Sequence, residues 1–309
     1  MFQMNENLSQ SEPMVPAETM ELSLLPNSPP NPTLKMVITE NNDASNSTLN
    51  CWYGRFGNQL IRNICASIIA QKYDLKFQYI FYDEILNMGI ELFINGTKTH
   101  PKTLEFMDEY FEKFIDNAPI KTVWDGVKDE PTPENYNINI NTIFLQTRTT
   151  AKYIRNFLKE REMAIKTNNP FCERYQHNND TFIHIRLGDI ANTDFIPSIN
   201  YYRNTIIKVL NKPEYYNGNR FISSDSINHP MCQELIKEFN MIQVMLGEIL
   251  TVQFASTCSN IILSNGTFSW LIGVLGFNSN VYYPEIKNVW HGDIFIFSDW
   301  IEEPINSWN

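Results

Sequence analysis

Cysteine is sparse in this chain and does not cluster. The five cysteines, Cys51, Cys65, Cys172, Cys232 and Cys258, are scattered and odd in number. There is no CxxC and no Cys/His group, so neither a disulfide framework nor a structural zinc site is indicated, and most of these residues read as small buried hydrophobes. Long apolar runs are also missing. No window reaches the ~18 uninterrupted apolar residues of a membrane span. The N-terminus has no basic-then-apolar signal pattern, so the expectation is a cytoplasmic protein. Positive charge is in deficit: 24 Lys and Arg against 35 Asp and Glu give a formal net charge of −11. That balance argues against a general nucleic-acid binder or a protein held to anionic membranes, which rely on basic surfaces. It leaves an anionic ligand open if the arginines are local. Neither G-x-x-x-x-G-K-[ST] nor G-x-S-x-G occurs, which removes the usual NTPase and hydrolase readings.

What is present reads as an ordinary globular composition. The 309 residues are 43% hydrophobic and 13% aromatic, enough for one or two domains with a substantial core. Five N-x-[ST] sequons, at Asn7, Asn46, Asn95, Asn179 and Asn265, are expected by chance in an Asn-rich chain. Residues 1–46 are polar and carry Pro13, Pro16, Pro26, Pro29, Pro30 and Pro32, which predicts a flexible or loosely packed arm. From Leu49 the pattern changes to strand (Leu49–Tyr53), glycine turn (Gly54–Gly57), helix to Tyr73 and strand (Lys76–Phe81). A helix over Leu104–Ile115 follows, then a long loop to Asn137, a strand over Ile138–Leu145 and a helix over Thr150–Lys166. The polar run Thr167–Asp180 marks a boundary, giving a first α/β domain over 47–177 and a second over 178–309. In the second, strands at Thr181–Arg186, Arg220–Ser223, Ile261–Ser264 and Val281–Tyr283 alternate with helices at Tyr201–Leu210, Met231–Phe239, Glu248–Cys258 and Phe268–Leu275. Such alternation predicts a mostly parallel sheet with helices on both faces. Two α/β halves would place a ligand in the cleft between them, at strand C-terminal ends.

Three segments carry chemistry. Gly54-Arg55-Phe56-Gly57-Asn58-Gln59 lies between a strand and a helix, where glycines allow close backbone approach and a helix N-terminus favours an anion. There Arg55 or Asn58 can reach a ligand; the plainer alternative is a tight turn with a surface arginine. In His184-Ile185-Arg186-Leu187-Gly188-Asp189 the alternation points His184 and Arg186 to one face. A guanidinium at that strand end can hold phosphate oxygens bidentately. Asp189 would orient Arg186 or accept a proton, unless the pair simply ties sheet to loop. Ser264-Asn265-Gly266-Thr267-Phe268-Ser269-Trp270 again joins strand to helix; Thr267, Ser269 and early-helix N–H groups make a phosphate cradle, or an ordinary N-cap. Asp225, in Ser223-Ser224-Asp225-Ser226, ends another strand at the same sheet edge. Two arginines and these small residues describe a pocket for a sugar nucleotide. No Asp-x-Asp pair exists to place a divalent ion on its diphosphate, so no metal site is expected.

Together, over roughly Leu49 to Trp300, these segments resemble the α-1,2-fucosyltransferases of glycosyltransferase family 11. Gly54–Leu60, His184–Asp189, Tyr201-Tyr202, Phe221–Asp225 and Ser264–Trp270 are similar to the family's successive blocks. The first string also resembles protein O-fucosyltransferases, which share the donor. Two positions depart: Leu187 stands where the family has a second arginine, and Leu271 where it has a second tryptophan. The resemblance implies a GT-B-like fold of two Rossmann-like halves, GDP-fucose as donor, an oligosaccharide acceptor, no metal and no further cofactor. Carried over, it implies that Arg186 binds the diphosphate, with Asp189 as the candidate base. Arg55 and Asn58 would meet the donor from the first half, His184 and Asp225 would contact guanine, Thr267 and Ser269 would line the phosphates, and Phe268 would belong to the donor-binding set. The alternatives are a catalytically silent GDP-sugar-binding protein and a transferase acting on another acceptor such as protein Ser/Thr.

Overall fold

The protein is seen here in a computed structural model. It describes residues 19–20, 56–77, 79, 81–100, 103–105, 110–116, 137–139, 144–176, 178–190, 193, 196–285 and 293–305. In chain order its elements are β1 (Thr19–Met20), α1 (Phe56–Tyr73), α2 (Tyr82–Asn87), β2 (Thr103–Glu105), α3 (Tyr110–Asp116), β3 (Asn137–Asn139), α4 (Arg148–Glu160) and α5 (Glu162–Thr167). The chain continues through β4 (Thr181–Ile185), α6 (Ile199–Leu210), β5 (Arg220–Ser224), α7 (Pro230–Phe239), β6 (Ile242–Val244), α8 (Glu248–Ala255), β7 (Asn260–Ile262), α9 (Thr267–Leu275), β8 (Asn280–Pro284) and β9 (Ile301–Glu303).

The protein is α/β, built on an open sheet in which every pairing is parallel, ordered β1-β6-β5-β4-β7-β8-β9. Parallel strands need cover on both faces, and the side-chain period of two provides it. Phe182, Phe221, Ile261 and Val281 point to one face and pack with α8 and α9. Their neighbours Ile183, Ile222, Ile262 and Tyr282 point to the other and pack with α6 and α7. The register aligns these rows, with Phe182 opposite Phe221 and Ile261, and Ile183 opposite Ile222 and Ile262. From β4 the chain winds outward through β5 and β6, then returns to the other side of β4 and winds outward through β7, β8 and β9. The winding direction reverses between β4 and β7.

Local signals fix several helix ends. Thr147 accepts the Thr150 N–H at 3.1 Å to open α4, and Ser198 is the N-cap of α6. Pro230 sits in the first turn of α7, and Asn240, in the left-handed region at φ 48°, closes it. The first half packs onto the sheet's α8/α9 face: one apolar cluster joins Leu60 and Ile64 of α1, Ile154 and Leu158 of α4, Phe254 of α8 and Leu271 of α9. The segment after β8 returns to this layer. Trp270 Nε1 donates to the Ile294 carbonyl at 2.8 Å, and Arg155 of α4 forks onto Asp299 while its guanidinium lies 4.3 Å from the Phe297 ring centre.

Several sequence expectations need correction. Among the described residues of Lys76–Phe81 none is in a strand: Leu75 makes an isolated bridge to Lys98, the Asp74 carbonyl takes the Thr97 and Lys98 N–H groups, and Phe81 at φ 54° turns the chain into α2. Leu104–Ile115 is not one helix, because Thr103–Glu105 pairs with Asn137–Asn139 and, among the described residues, the helical part is Tyr110–Asp116. Tertiary pairing overrides local preference there. The helix expected over Thr150–Lys166 divides at Arg161 into α4 and α5. Val281–Tyr283 is not in the last strand, since β9 follows, and β6 was not anticipated. The expected strand at Leu49–Tyr53, most of the loop before Asn137 and all of the N-terminal arm except Thr19–Met20 lie outside the described residues.

Candidate functional site

The winding direction reverses between β4 and β7, and the strand C-terminal ends at such a reversal are where doubly wound sheets bind nucleotides. The motif segments meet here. Arg186 follows β4, and Leu263–Gly266 runs from β7 into α9. Buried Tyr201 of α6 donates its hydroxyl to the Leu263 carbonyl at 2.8 Å, so the turn after β7 rests on a fixed support.

The first motif arrives from the opposite side. A Cβ on Gly57 would lie 3.1 Å from the Phe268 backbone nitrogen, so only glycine fits easily between the starts of α1 and α9. Asn58 crosses this junction. Its Oδ1 accepts from Thr267 Oγ1 at 2.6 Å and from Gln146 Nε2 at 2.9 Å. The first turns of α1 and α9 therefore touch, and the N–H groups of Thr267, Phe268 and Ser269 precede the first intrahelical bond of α9, from the Trp270 N–H to the Gly266 carbonyl at 3.0 Å. N-termini so placed favour an anion.

His184 and Arg186 share one face of β4 and its extension, as the alternation predicts, and both meet the turn before α9. His184 Nδ1 lies 2.6 Å from Ser269 Oγ, which also accepts the Ser264 N–H at 3.2 Å; the imidazole sits 5.1 Å from the Phe268 ring. Both polar side chains are buried. Arg186 passes over Gly266, whose backbone at φ 117° suits glycine alone. Leu187, of opposite parity, is buried in the α6/α7 layer, which accounts for an apolar residue at that position.

Asp225 is exposed and holds the loop after β4 from the β5 side, its Oδ1 accepting the Leu187 and Gly188 N–H groups at 2.8 and 3.0 Å. Beneath it, burial raises the pKa of the Cys232 thiol, and more strongly that of the Tyr202 phenol. Neither group is an acid or base at neutral pH.

The structure thus brings together Asn58, His184, Arg186, Thr267, Phe268 and Ser269, with Asp225 bracing the same loop. Asp189 lies in the short turn Gly188–Ile190, its side chain outside the described residues, as is the whole of Arg55. Sequence reasoning missed Gln146, a lone polar residue in no motif. It also passed over Gln59, Arg62 and Asn63, all buried on α1, with Arg62 Nη1 3.4 Å from Gln59 Oε1. Gln59 stands in the first motif itself, and Arg62 and Asn63 follow within about one helical turn of it, which was the available signal. Among the described residues, no group of three His, Cys, Asp or Glu side chains could hold a metal ion, and no helix is long and apolar enough to cross a membrane. A scan against protein-family models finds no match, and a search of the curated proteins finds none.

Proposed function

We propose that the protein is an inverting, metal-independent fucosyltransferase that moves L-fucose from GDP-fucose to a glycan hydroxyl, α-1,2 on galactose. The observation that carries this reading is the meeting of three distant segments at the sheet's reversal point, with Arg186 over Gly266 beside the touching first turns of α1 and α9. That is a site for a diphosphate. Fucose and galactose come from the resemblance of those segments. On this reading the second half holds the nucleotide and the first half faces the acceptor, in a GT-B-like arrangement.

Transfer builds positive charge on the anomeric carbon and negative charge on the departing phosphate, as in glycoside cleavage. The Arg186 guanidinium and the first-turn N–H groups of α9 are fixed before reaction, so they stabilise that phosphate without reorganising. Asp189 is assigned as the base that takes the acceptor hydroxyl proton. Titrating GDP into the protein by calorimetry tests the site: binding that weakens sharply in Arg186→Ala supports it, and a folded protein that ignores GDP overturns it. Burial of Leu187 favours a second reading, a GDP-sugar-binding protein without turnover, because it leaves one arginine on the loop after β4. GDP binding with no consumption of GDP-fucose would select that alternative.

A further inference from the structure

We infer that Gln146 is a positioning residue for the anionic part of the ligand, acting through Asn58. The inference rests on the diphosphate site proposed above.

An amide has one accepting and one donating edge, and its neighbours decide which faces the site. Asn58 Oδ1 receives two hydrogen bonds, from Gln146 Nε2 at 2.9 Å and Thr267 Oγ1 at 2.6 Å. The carbonyl edge is thereby committed to protein, and the Nδ2 edge becomes a pair of neutral donors beside the start of α9. A phosphate accepts hydrogen bonds and donates none when ionised, so this orientation suits it and the reverse would repel it. Thr267 alone could not enforce this, because a hydroxyl can turn to donate or accept. With Gln146 Nε2 donating as well, the oxygen edge of Asn58 meets two donors instead of one.

The mount of Gln146 is rigid for a loop. Thr147, the next residue, caps α4, and Leu145 before it is fully buried with φ at 54°. A buried leucine in the left-handed region costs on the order of 1 kcal/mol or more and persists only where the surroundings over-determine it. The side chain of the next residue reaches across the junction of the two halves to Asn58. Gln146 lies 88 residues from Asn58 in sequence and belongs to no motif, so no local pattern marks it.

The test compares wild type, Gln146→Glu, Asn58→Ala and the double variant, titrating each with GDP and with guanosine by calorimetry and recording each melting temperature. A glutamate at 146 accepts where glutamine donates, so it turns the Asn58 amide over and presents its carbonyl to the phosphates. The expected result for Gln146→Glu is GDP binding weakened about tenfold or more, guanosine binding unchanged, and no further loss when the substitution is added to Asn58→Ala. A merely structural role would weaken both ligands together or lower the melting temperature in proportion. The inference is overturned if Gln146→Glu binds GDP like wild type, loses guanosine equally, or adds its full loss to that of Asn58→Ala. Failure of the wild-type protein itself to bind GDP would instead overturn the proposed function.

Discussion

Arg186 and Gly266 pack so closely that a Cβ on the glycine would fall 2.7 Å from the Arg186 Nη1. The guanidinium lies where it does because position 266 carries no side chain and accepts φ 117°. Substituting Gly266→Ala adds both backbone strain and a clash. Urea denaturation should show a loss of about 1–3 kcal/mol, and GDP affinity should fall with it. Gly247→Ala is the control: nothing lies within 4 Å of its Cβ position, and φ is −61°. Gly247 is the N-cap of α8, where alanine caps less well but restricts the unfolded chain, so the two effects oppose each other and the expected net cost is about a few tenths of a kcal/mol.

Arg186→Lys keeps the charge and loses the planar fork. Turnover is expected to drop about 10²–10³-fold, comparable to removing a preorganised donor from a developing charge, while circular dichroism and melting temperature stay close to wild type. Steady-state kinetics on the folded variant decide the matter; near-normal turnover would remove Arg186 from the mechanism.

Asp299 ties the C-terminal segment to α4. The Arg155 hydrogen bonds hold its carboxyl below the ordinary range, against a smaller opposing effect of burial. A depressed folded-state pKa gives stability that is present above the unfolded value, about 3.9, and lost as pH falls through the folded one. The pair is largely exposed, so the contribution is small. Melting curves between pH 6 and pH 3 should show wild type losing more than Asp299→Asn, with the two curves converging at the acid end. Parallel curves would mean that the pair does not contribute.

Activity should continue in excess EDTA, because the charge of the leaving diphosphate is assigned to Arg186 and to backbone N–H groups. A rate that collapses with chelator and returns with Mn²⁺ or Mg²⁺ would show that a metal neutralises it.

The second half was the more legible part of the sequence. Period-two alternation in Thr181–Arg186 gave the strand and the shared face of His184 and Arg186, and the strand–helix rhythm gave the α/β class. What escaped has physical causes. The strands β6 and β9 are three residues each, too short to show a period, and β9 is placed by pairing with β8 across a long connection. The segment around Leu104 was misread because its state depends on Ile138, more than 30 residues away. At the site, motif positions were visible, but what they bond to was not. Asn58 reads as a turn residue until Gln146 and Thr267 arrive from distant segments, and Asp225 reads as a turn acid until the Leu187 and Gly188 N–H groups meet it.

The most direct measurement is a transfer assay with GDP-fucose and a panel of β-galactosides, following GDP release and analysing the product by mass spectrometry and NMR. The expected result is galactoside-dependent GDP release with one fucose added in α-1,2 linkage, abolished in Arg186→Ala. A folded protein that binds GDP but releases none with any acceptor would contradict catalysis. A folded protein that does not bind GDP would contradict the site itself.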